Sequence, residues 1–254
     1  MPKVFLTAGH GGTDPGAVAY GMKEKNINLD ILLSCKSELE RHGVVVVCSR
    51  TKDENDPVAQ EVREANASGA DLAVSYHTNS SSSGKGDGSE SYYYPGNKDG
   101  KKLAELCEKH TKAIGQNSRG VKSGKSLYFV KNTTMTAVLC ECAFINNDTD
   151  NDIIDTVAEV KKFGVAYAKA ILEYFGITYK AETTSKKDNS FKVRVSINNL
   201  NIRVGAGTNF VKRCTIAPGV YTITEVKQGR GSTKGWGKLK SGLGWISLDY
   251  VENA

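Results

Sequence analysis

Two of the four histidines, His10 and His77, stand directly after short apolar segments of the sequence (KVFLTAGH and LAVSYH). Each segment has the length and composition of a buried β-strand. The carboxyl ends of parallel strands meet at one edge of a sheet, which is where open α/β sheets bind their ligands. Two imidazoles at such an edge could hold Zn²⁺, which in catalytic sites takes three protein ligands and leaves one position for water. His42 and His110 lie in charged helical segments and are interpreted as surface residues.

Glu24 is the candidate third ligand. It opens the first predicted helix, after a glycine-rich loop at 11–21 that follows His10. In a βα unit the loop and the helix start lie on the side where the strand ended, so Glu24 can approach His10. The alternative is a first-turn glutamate that is favoured only by the helix dipole. The two strand-end histidines favour the ligand.

Glu141 is a charged residue within the apolar stretch AVLCECAF at 137–144. Burying an unpaired carboxylate is costly, so its presence there calls for a reason. Strand alternation predicts Cys140 and Cys142 on one face, as core thiols, and Glu141 on the other. A glutamate beside a zinc-bound water could accept its proton and pass it to a leaving amine. A structural, salt-bridged glutamate is the alternative.

Two other kinds of chemistry are disfavoured. The six cysteines lie mostly in apolar stretches and are interpreted as buried reduced thiols. None stands at a predicted helix start or beside a histidine, as a thiol nucleophile would. The loop at 10–16 is rich in glycine but lacks the Lys-Ser/Thr ending of a phosphate-binding P-loop.

The elements that must position these residues alternate between strands and helices. Apolar runs predict strands at 4–8, 44–49, 72–76, 91–94, 126–130 and 137–144, and periodic segments predict helices at about 24–41, 57–68, 99–115 and 151–175. This order predicts an α/β fold with a mostly parallel sheet flanked by helices over residues 1–178. The polar stretch at 79–89 follows the strand of the second histidine, so we expect a loop there that borders the substrate groove, with Asn79 as a substrate contact.

The C-terminal part of the sequence differs in pattern and in charge. A polar linker is predicted at 179–190, and short strands separated by glycine-containing turns predict a small all-β domain at 191–254. Residues 1–180 carry 22 Lys and Arg against 23 Asp and Glu, whereas residues 181–254 carry 12 against 5. The basic part is expected to meet an anionic partner, and on charge alone nucleic acid, a membrane surface and an anionic cell wall all remain open. A membrane span is excluded because no run approaches 20 apolar residues.

At this point the motifs carry a family resemblance. The segments AGHGGTDPGA with Glu24, REANASGADLAVSYHTN and AVLCECAFINN, over residues 3–176, resemble the zinc-dependent N-acetylmuramoyl-L-alanine amidases of the amidase-3 type. The resemblance implies that His10, Glu24 and His77 bind Zn²⁺ and that Glu141 is catalytic. Ala8 and Cys142 depart from residues common in the family, but neither replaces a ligand. LNIRVGAG at 200–207 and GWI at 244–246 resemble bacterial SH3-like domains, which implies a small barrel.

These observations lead to one expected function and two alternatives. We expect a zinc-dependent hydrolase that cleaves the amide bond between N-acetylmuramic acid and L-alanine of peptidoglycan. Its basic domain is expected to bind the anionic Gram-positive wall rather than nucleic acid, since no aromatic stacking motif is present. A non-catalytic wall-binding protein and a zinc peptidase acting within the stem peptide remain the alternatives. No secretory signal is visible at the start of the sequence, which favours a phage or prophage endolysin made in the cytoplasm and released by a separate pore. A secreted enzyme without its leader is the other reading.

Overall fold

The computed structural model describes residues 1–181 and 190–254. It divides the chain into two compact units, Met1–Lys180 and Ala181–Ala254. Most of the linker expected at 179–190 lies outside the described residues. None of the helices in the described ranges combines the length and the hydropathy that crossing a bilayer requires.

The first unit is a mixed α/β fold, as predicted. Its strands are β1 (Lys3–Ala8), β2 (Val18–Ala19), β3 (Met22–Lys23), β4 (Val45–Cys48), β5 (Leu72–Asn79), β6 (Ser89–Tyr93), β7 (Ser118–Ser123) and β8 (Thr136–Phe144). Its helices are α1 (Glu24–Arg41), α2 (Val58–Ala67), α3 (Lys98–Lys112), α4 (Tyr128–Asn132), α5 (Asp148–Asn151) and α6 (Val157–Tyr174). Apart from the β2–β3 hairpin, the strands form one six-stranded sheet in the order β4-β1-β5-β8-β6-β7. The pairs β4–β1, β1–β5, β5–β8 and β6–β7 are parallel, and only β8–β6 is antiparallel.

Helices cover both faces of this sheet. On one face α1, α3 and α6 pack against the strands, and the side chains at Ile27, Ile31, Cys35 and Leu39 form the buried stripe of α1. On the other face α2 and α4 enclose a second apolar cluster around Phe5. Both faces of the central strands are therefore buried, in keeping with their nearly continuous apolar sequences.

One local prediction is wrong, and one strand was not predicted. The strand expected at 126–130 is mostly the helix α4, in which Phe129 and Val130 are buried against the sheet. A short apolar run has no period of its own, so the sequence pattern cannot separate a buried strand from a buried helical turn. The strand β7 was not predicted because its sequence, SRGVKS, is polar and lies at the edge of the sheet.

The last residues of the first unit lie against the end of α1. The ring of Tyr179 stacks on His42 with 5.1 Å between the ring centroids. The Arg41 guanidinium lies 5.1 Å from the centroid of the same ring, and the Lys180 backbone N–H donates to His42 Nε2 at 2.9 Å. The chain is therefore fixed to the carboxyl end of α1 just before the unit ends.

The second unit is all-β, as predicted. Its strands are β9 (Phe191–Val195), β10 (Leu200–Arg203), β11 (Lys212–Ile216), β12 (Gly219–Lys227), β13 (Trp236–Leu239), β14 (Trp245–Ser247) and β15 (Val251–Asn253), joined in the order β11-β10-β14-β13-β12-β9-β15. Every pairing is antiparallel. Val193, Ile202, Ile223 and Ile246 lie in its own buried core. Both β11 and β15 are short and mostly exposed.

Candidate active site

The candidate site lies at the carboxyl ends of β1, β5 and β8. His10 follows β1 in a left-handed backbone conformation (φ 65°), which is uncommon for a residue with a side chain. His77 belongs to β5 and pairs in register with Glu141 of β8. Gly9 allows the two segments to approach closely, because a Cβ there would meet the His77 ring at 2.1 Å. Backbone geometry thus brings His10, His77 and Glu141 to one edge of the sheet.

Glu24 completes a cluster of three metal-ligating side chains. One ligand atom from each of His10, Glu24 and His77 lies within 4.8 Å of the other two. Glu24 Oε1 is 3.3 Å from His10 Nε2 and 3.0 Å from His77 Nδ1. Two imidazole nitrogens and a carboxylate oxygen form a donor set typical of catalytic zinc sites. This cluster therefore fits Zn²⁺, and neither His42 nor His110 belongs to it.

Further groups hold the candidate ligands in place. Glu24 accepts hydrogen bonds from the Ala17 backbone N–H at 2.9 Å and from the Thr78 backbone N–H at 3.1 Å. Asn28 lies one turn after Glu24 on α1, and its amide donates to Glu24 Oε1 at 3.3 Å. Asp14 Oδ2 lies 2.8 Å from His10 Nδ1, which leaves Nε2 to face the cluster. A carboxylate on the outer nitrogen of a ligating histidine fixes its tautomer and its orientation.

Sequence reasoning missed Asp14 and Asn28. Their spacing was the available signal, since each lies four residues after a candidate ligand. No sequence pattern marks the buried Arg50, which links the end of β1 to the start of α1. Its guanidinium donates to the backbone carbonyls of Ala8 at 2.9 Å and of Lys25 at 2.8 Å. Arg50 therefore holds together the two segments that flank the loop between His10 and Glu24.

The electrostatics of the cluster favour a bound cation. Burial alone would raise the pKa of Glu24, but hydrogen bonds with His10 and His77 outweigh it and lower the pKa below its ordinary value. The hydrogen bond with Glu24 in turn raises the pKa of His10 to about 9, against the opposing effect of burial. Glu24 is therefore an ionised carboxylate in a nearly buried position, where a positive charge is strongly attracted.

Glu141 is the candidate catalytic carboxyl group at this edge. Its Oε2 atom is buried and has no hydrogen-bond partner among the described residues. Burial raises the pKa of Glu141 to about 7, although His77 acts in the opposite direction. A carboxyl group with a pKa near neutrality can both accept and donate a proton at physiological pH. Cys140 and Cys142, its neighbours on β8, point into the core on the other face.

Asn79 ends β5, and its side chain turns toward Glu90, a buried residue of β6. The Asn79 amide donates to Glu90 Oε1 at 2.9 Å, and Asn79 Oδ1 accepts from the Ser80 backbone N–H at 2.8 Å. Glu90 pairs in register with Glu141 across the antiparallel β6–β8 ladder. The structure thus links Asn79 to Glu90, and its contact with substrate stays a prediction.

Known proteins resemble the first unit of this chain. The family described as N-acetylmuramoyl-L-alanine amidase matches residues 4–173. The amidase LytC of Bacillus subtilis is 33% identical over 175 residues, which cover 68% of this chain and 35% of LytC. The endolysin of Bacillus phage SPP1 is 35% identical over 192 residues, which cover 72% of this chain and 70% of that protein. This chain thus spans about a third of LytC.

A solved structure gives the same result for the fold. The catalytic domain of CwlV, an N-acetylmuramoyl-L-alanine amidase from Bacillus (Paenibacillus) polymyxa, is 31% identical, with a TM-score of 0.66. The match covers 70% of this chain and all of that domain (100%). The six-stranded sheet, the cluster of candidate ligands and the matched family all fall in the first unit. The chain belongs to the amidase-3 family of N-acetylmuramoyl-L-alanine amidases.

Proposed function

We propose that the first unit is a zinc-dependent hydrolase of the amide bond between N-acetylmuramic acid and L-alanine in peptidoglycan. One observation carries the proposal: the ligand atoms of His10, Glu24 and His77 lie within 4.8 Å of one another, and Glu141 pairs with His77 on the adjacent strand. The names of the related amidases supply the substrate. A degenerate, non-catalytic domain would not be expected to keep all four groups at one edge.

In this proposal each residue has a defined task. His10, Glu24 and His77 would hold the zinc ion, which when bound polarises a carbonyl group and acidifies a water molecule. Glu141 accepts a proton from the attacking water, whose oxygen forms the new bond to the carbonyl carbon of the lactyl group. Glu141 then returns the proton to the amide nitrogen as the C–N bond breaks. The second proton of the water passes from the new carboxyl group to the same nitrogen, so the products are a muramic acid carboxylate and a peptide with an N-terminal L-alanine ammonium.

The test combines metal content with product analysis. We expect the purified protein to bind one zinc ion and to release peptides with N-terminal L-alanine from purified walls. Mass spectrometry of the digest separates this cleavage from peptidase action, because a peptidase would leave L-alanine attached to the glycan. A protein that holds zinc but frees no N-terminal L-alanine would contradict the proposal.

For the second unit we propose an SH3-like module that binds the anionic Gram-positive wall. Its compact antiparallel core and the excess of Lys and Arg in residues 181–254 support this role. Sedimentation of the full chain with walls, before and after chemical removal of their anionic polymers, tests it. We expect binding to fall after removal and to weaken with salt. Equal binding to both preparations would show that the charge serves only solubility.

We also propose a lytic role in phage release. The similarity to the SPP1 endolysin supports it. We expect bacteria that produce the chain to lyse only when a pore-forming protein is produced with it. Export without such a pore would favour the secreted enzyme instead.

A further inference from the structure

Beyond Glu141, a row of side chains continues across the sheet toward β7. His77 pairs with Glu141, Glu141 pairs with Glu90, and Tyr92 of β6 pairs with Lys122 of β7. Directly paired residues on neighbouring strands point to the same face of a sheet. The row therefore begins at a candidate metal ligand and ends at the polar edge strand, on one continuous face.

Glu90 organises the far end of this row. It is 3% exposed, so its charge must be compensated by neighbours. Its Oε2 accepts a hydrogen bond of 2.6 Å from Arg119 Nε and a second from Lys122 Nζ. Its Oε1 accepts from the Tyr92 hydroxyl at 2.6 Å and from the Asn79 amide. All these bonds restrain the carboxylate and, through it, the two cations.

Arg119 and Lys122, here called the cation pair, share this single buried carboxylate. Each side chain keeps 35% of its surface exposed. The Arg119 guanidinium also lies 5.0 Å from the centroid of the Phe144 ring, which restricts its plane. The carboxylate of Asp87 accepts from Asn117, and the contact of Asp87 with Arg119 is through its backbone carbonyl. The cation pair therefore offers positive charge and donor capacity to the solvent at the β7 end of the row.

We propose that the cation pair binds a carboxylate of the peptide that is released by cleavage, and so gives the enzyme a preference for acidic stem peptides. The inference rests on the proposed function, in which Glu141 returns the proton to the leaving amine. The peptide must then begin next to Glu141, and the row points from there to the cation pair.

The spacing of the strands determines which carboxylate of the peptide can reach the cation pair. Two strand spacings, about 10 Å in all, separate β8 from β7. An extended peptide advances about 3.3 Å per residue, so this distance corresponds to two or three residues beyond the broken bond. A guanidinium beside an ammonium is a strong partner for a carboxylate, because charge-assisted hydrogen bonds are shorter and stronger than neutral ones. Glu90 acts as a positioning residue for this subsite.

The test uses two synthetic substrates. Both consist of N-acetylmuramic acid joined to a three-residue stem peptide, and they differ only in that the peptide carboxylates are free in one and carboxamides in the other. We expect the wild-type protein to hydrolyse the free acid with a kcat/KM about tenfold higher at low salt. Arg119→Ala and Lys122→Ala should each reduce this ratio about threefold, and the double variant should bring it to about one. Added salt should lower the ratio of the two kcat/KM values in the wild type toward one, because it screens the exposed charges.

Two further variants separate positioning from general stability. Lys131→Ala removes an exposed positive charge from α4 and should keep the ratio of the wild type. Glu90→Gln keeps the shape of the side chain but removes the charge that compensates the cation pair; it should raise both the ratio and its dependence on salt. A structural role alone would lower hydrolysis of both substrates equally and leave the ratio unchanged.

The outcomes distinguish this inference from the proposed function. A wild-type ratio of one, or a ratio that the double variant leaves unchanged, overturns the carboxylate subsite while amidase activity stands. If the wild-type protein, loaded with zinc, cleaves neither substrate but binds walls, the proposed hydrolase function fails, and the subsite fails with it.

Discussion

Replacing Glu141 by glutamine is the most direct test of the proposed proton transfer. The change keeps the size of the side chain and removes the group that accepts and returns the proton. Glu90, the carboxylate on the neighbouring strand, cannot substitute for it, since both of its oxygens are engaged by other side chains. Loss of a general acid–base group costs a factor of about 10²–10⁴ in rate, or about 3–5 kcal/mol of transition-state stabilisation.

The structure predicts that this loss occurs without damage to the fold. Glu141 Oε2 is buried without a hydrogen-bond partner among the described residues, so a neutral amide avoids the cost of burying a charge there. We expect Glu141→Gln to unfold at the same temperature as the wild type or higher, and to bind the same amount of zinc.

The assay is the initial rate of release of N-terminal L-alanine from purified walls, with zinc content measured on the same sample. Glu105→Gln is the matched control, because Glu105 is an exposed glutamate on α3, and it should keep full activity. A Glu141→Gln protein that binds zinc and retains more than about a tenth of the wild-type rate would refute the assigned role.

Three other predictions concern the supports of the site and the second unit. Asp14→Asn should weaken zinc affinity about 10- to 100-fold, as measured by competition with a chelator, because it removes the carboxylate that orients His10. Arg50→Met should lower the free energy of unfolding in urea by roughly 2–4 kcal/mol, because it leaves buried backbone carbonyls without donors; an unchanged midpoint would contradict this. Backbone hydrogen bonds from Lys234 and Thr233 lower the pKa of Asp249 to about 2, so its stabilising effect is complete above about pH 4 and is lost as the pH falls through about 2. Asp249→Asn should accordingly destabilise the second unit at pH 6 but not at pH 1.5, which thermal unfolding at both pH values can check.

The sequence was sufficient for the parts of the site that follow directly from strand ends. His10 and His77 terminate apolar segments, and Glu141 interrupts one, so each carries a local signal. Glu24 needed only the rule that a helix start lies near the end of the preceding strand. The parallel core of the sheet was predictable for the same reason, because its central strands are continuous apolar runs.

No such local signal marks the residues of β6 and β7 that lie beyond Glu141. Glu90 and Arg119 are 29 residues apart in sequence and meet only because β6 runs antiparallel to β8 and places β7 at the edge. Arg119 lies on β7, which is polar, and a polar edge strand looks like a loop in the sequence. Strand order is set by how the whole sheet packs, and a local pattern does not contain it.

The stacking of Tyr179 on the end of α1 bears on whether the segment that follows residue 180 can be exchanged. Glu24 is the first residue of α1, whose 18 residues extend about 27 Å at 1.5 Å per residue. Tyr179 and Lys180 are fixed at the opposite end of that helix. A segment joined at residue 180 therefore starts one full helix length from the candidate ligands and shares no backbone with them. If the second unit binds walls as proposed, exchanging it for a wall-binding module of another protein should change which bacteria are lysed, while the catalytic constants on small soluble substrates stay the same.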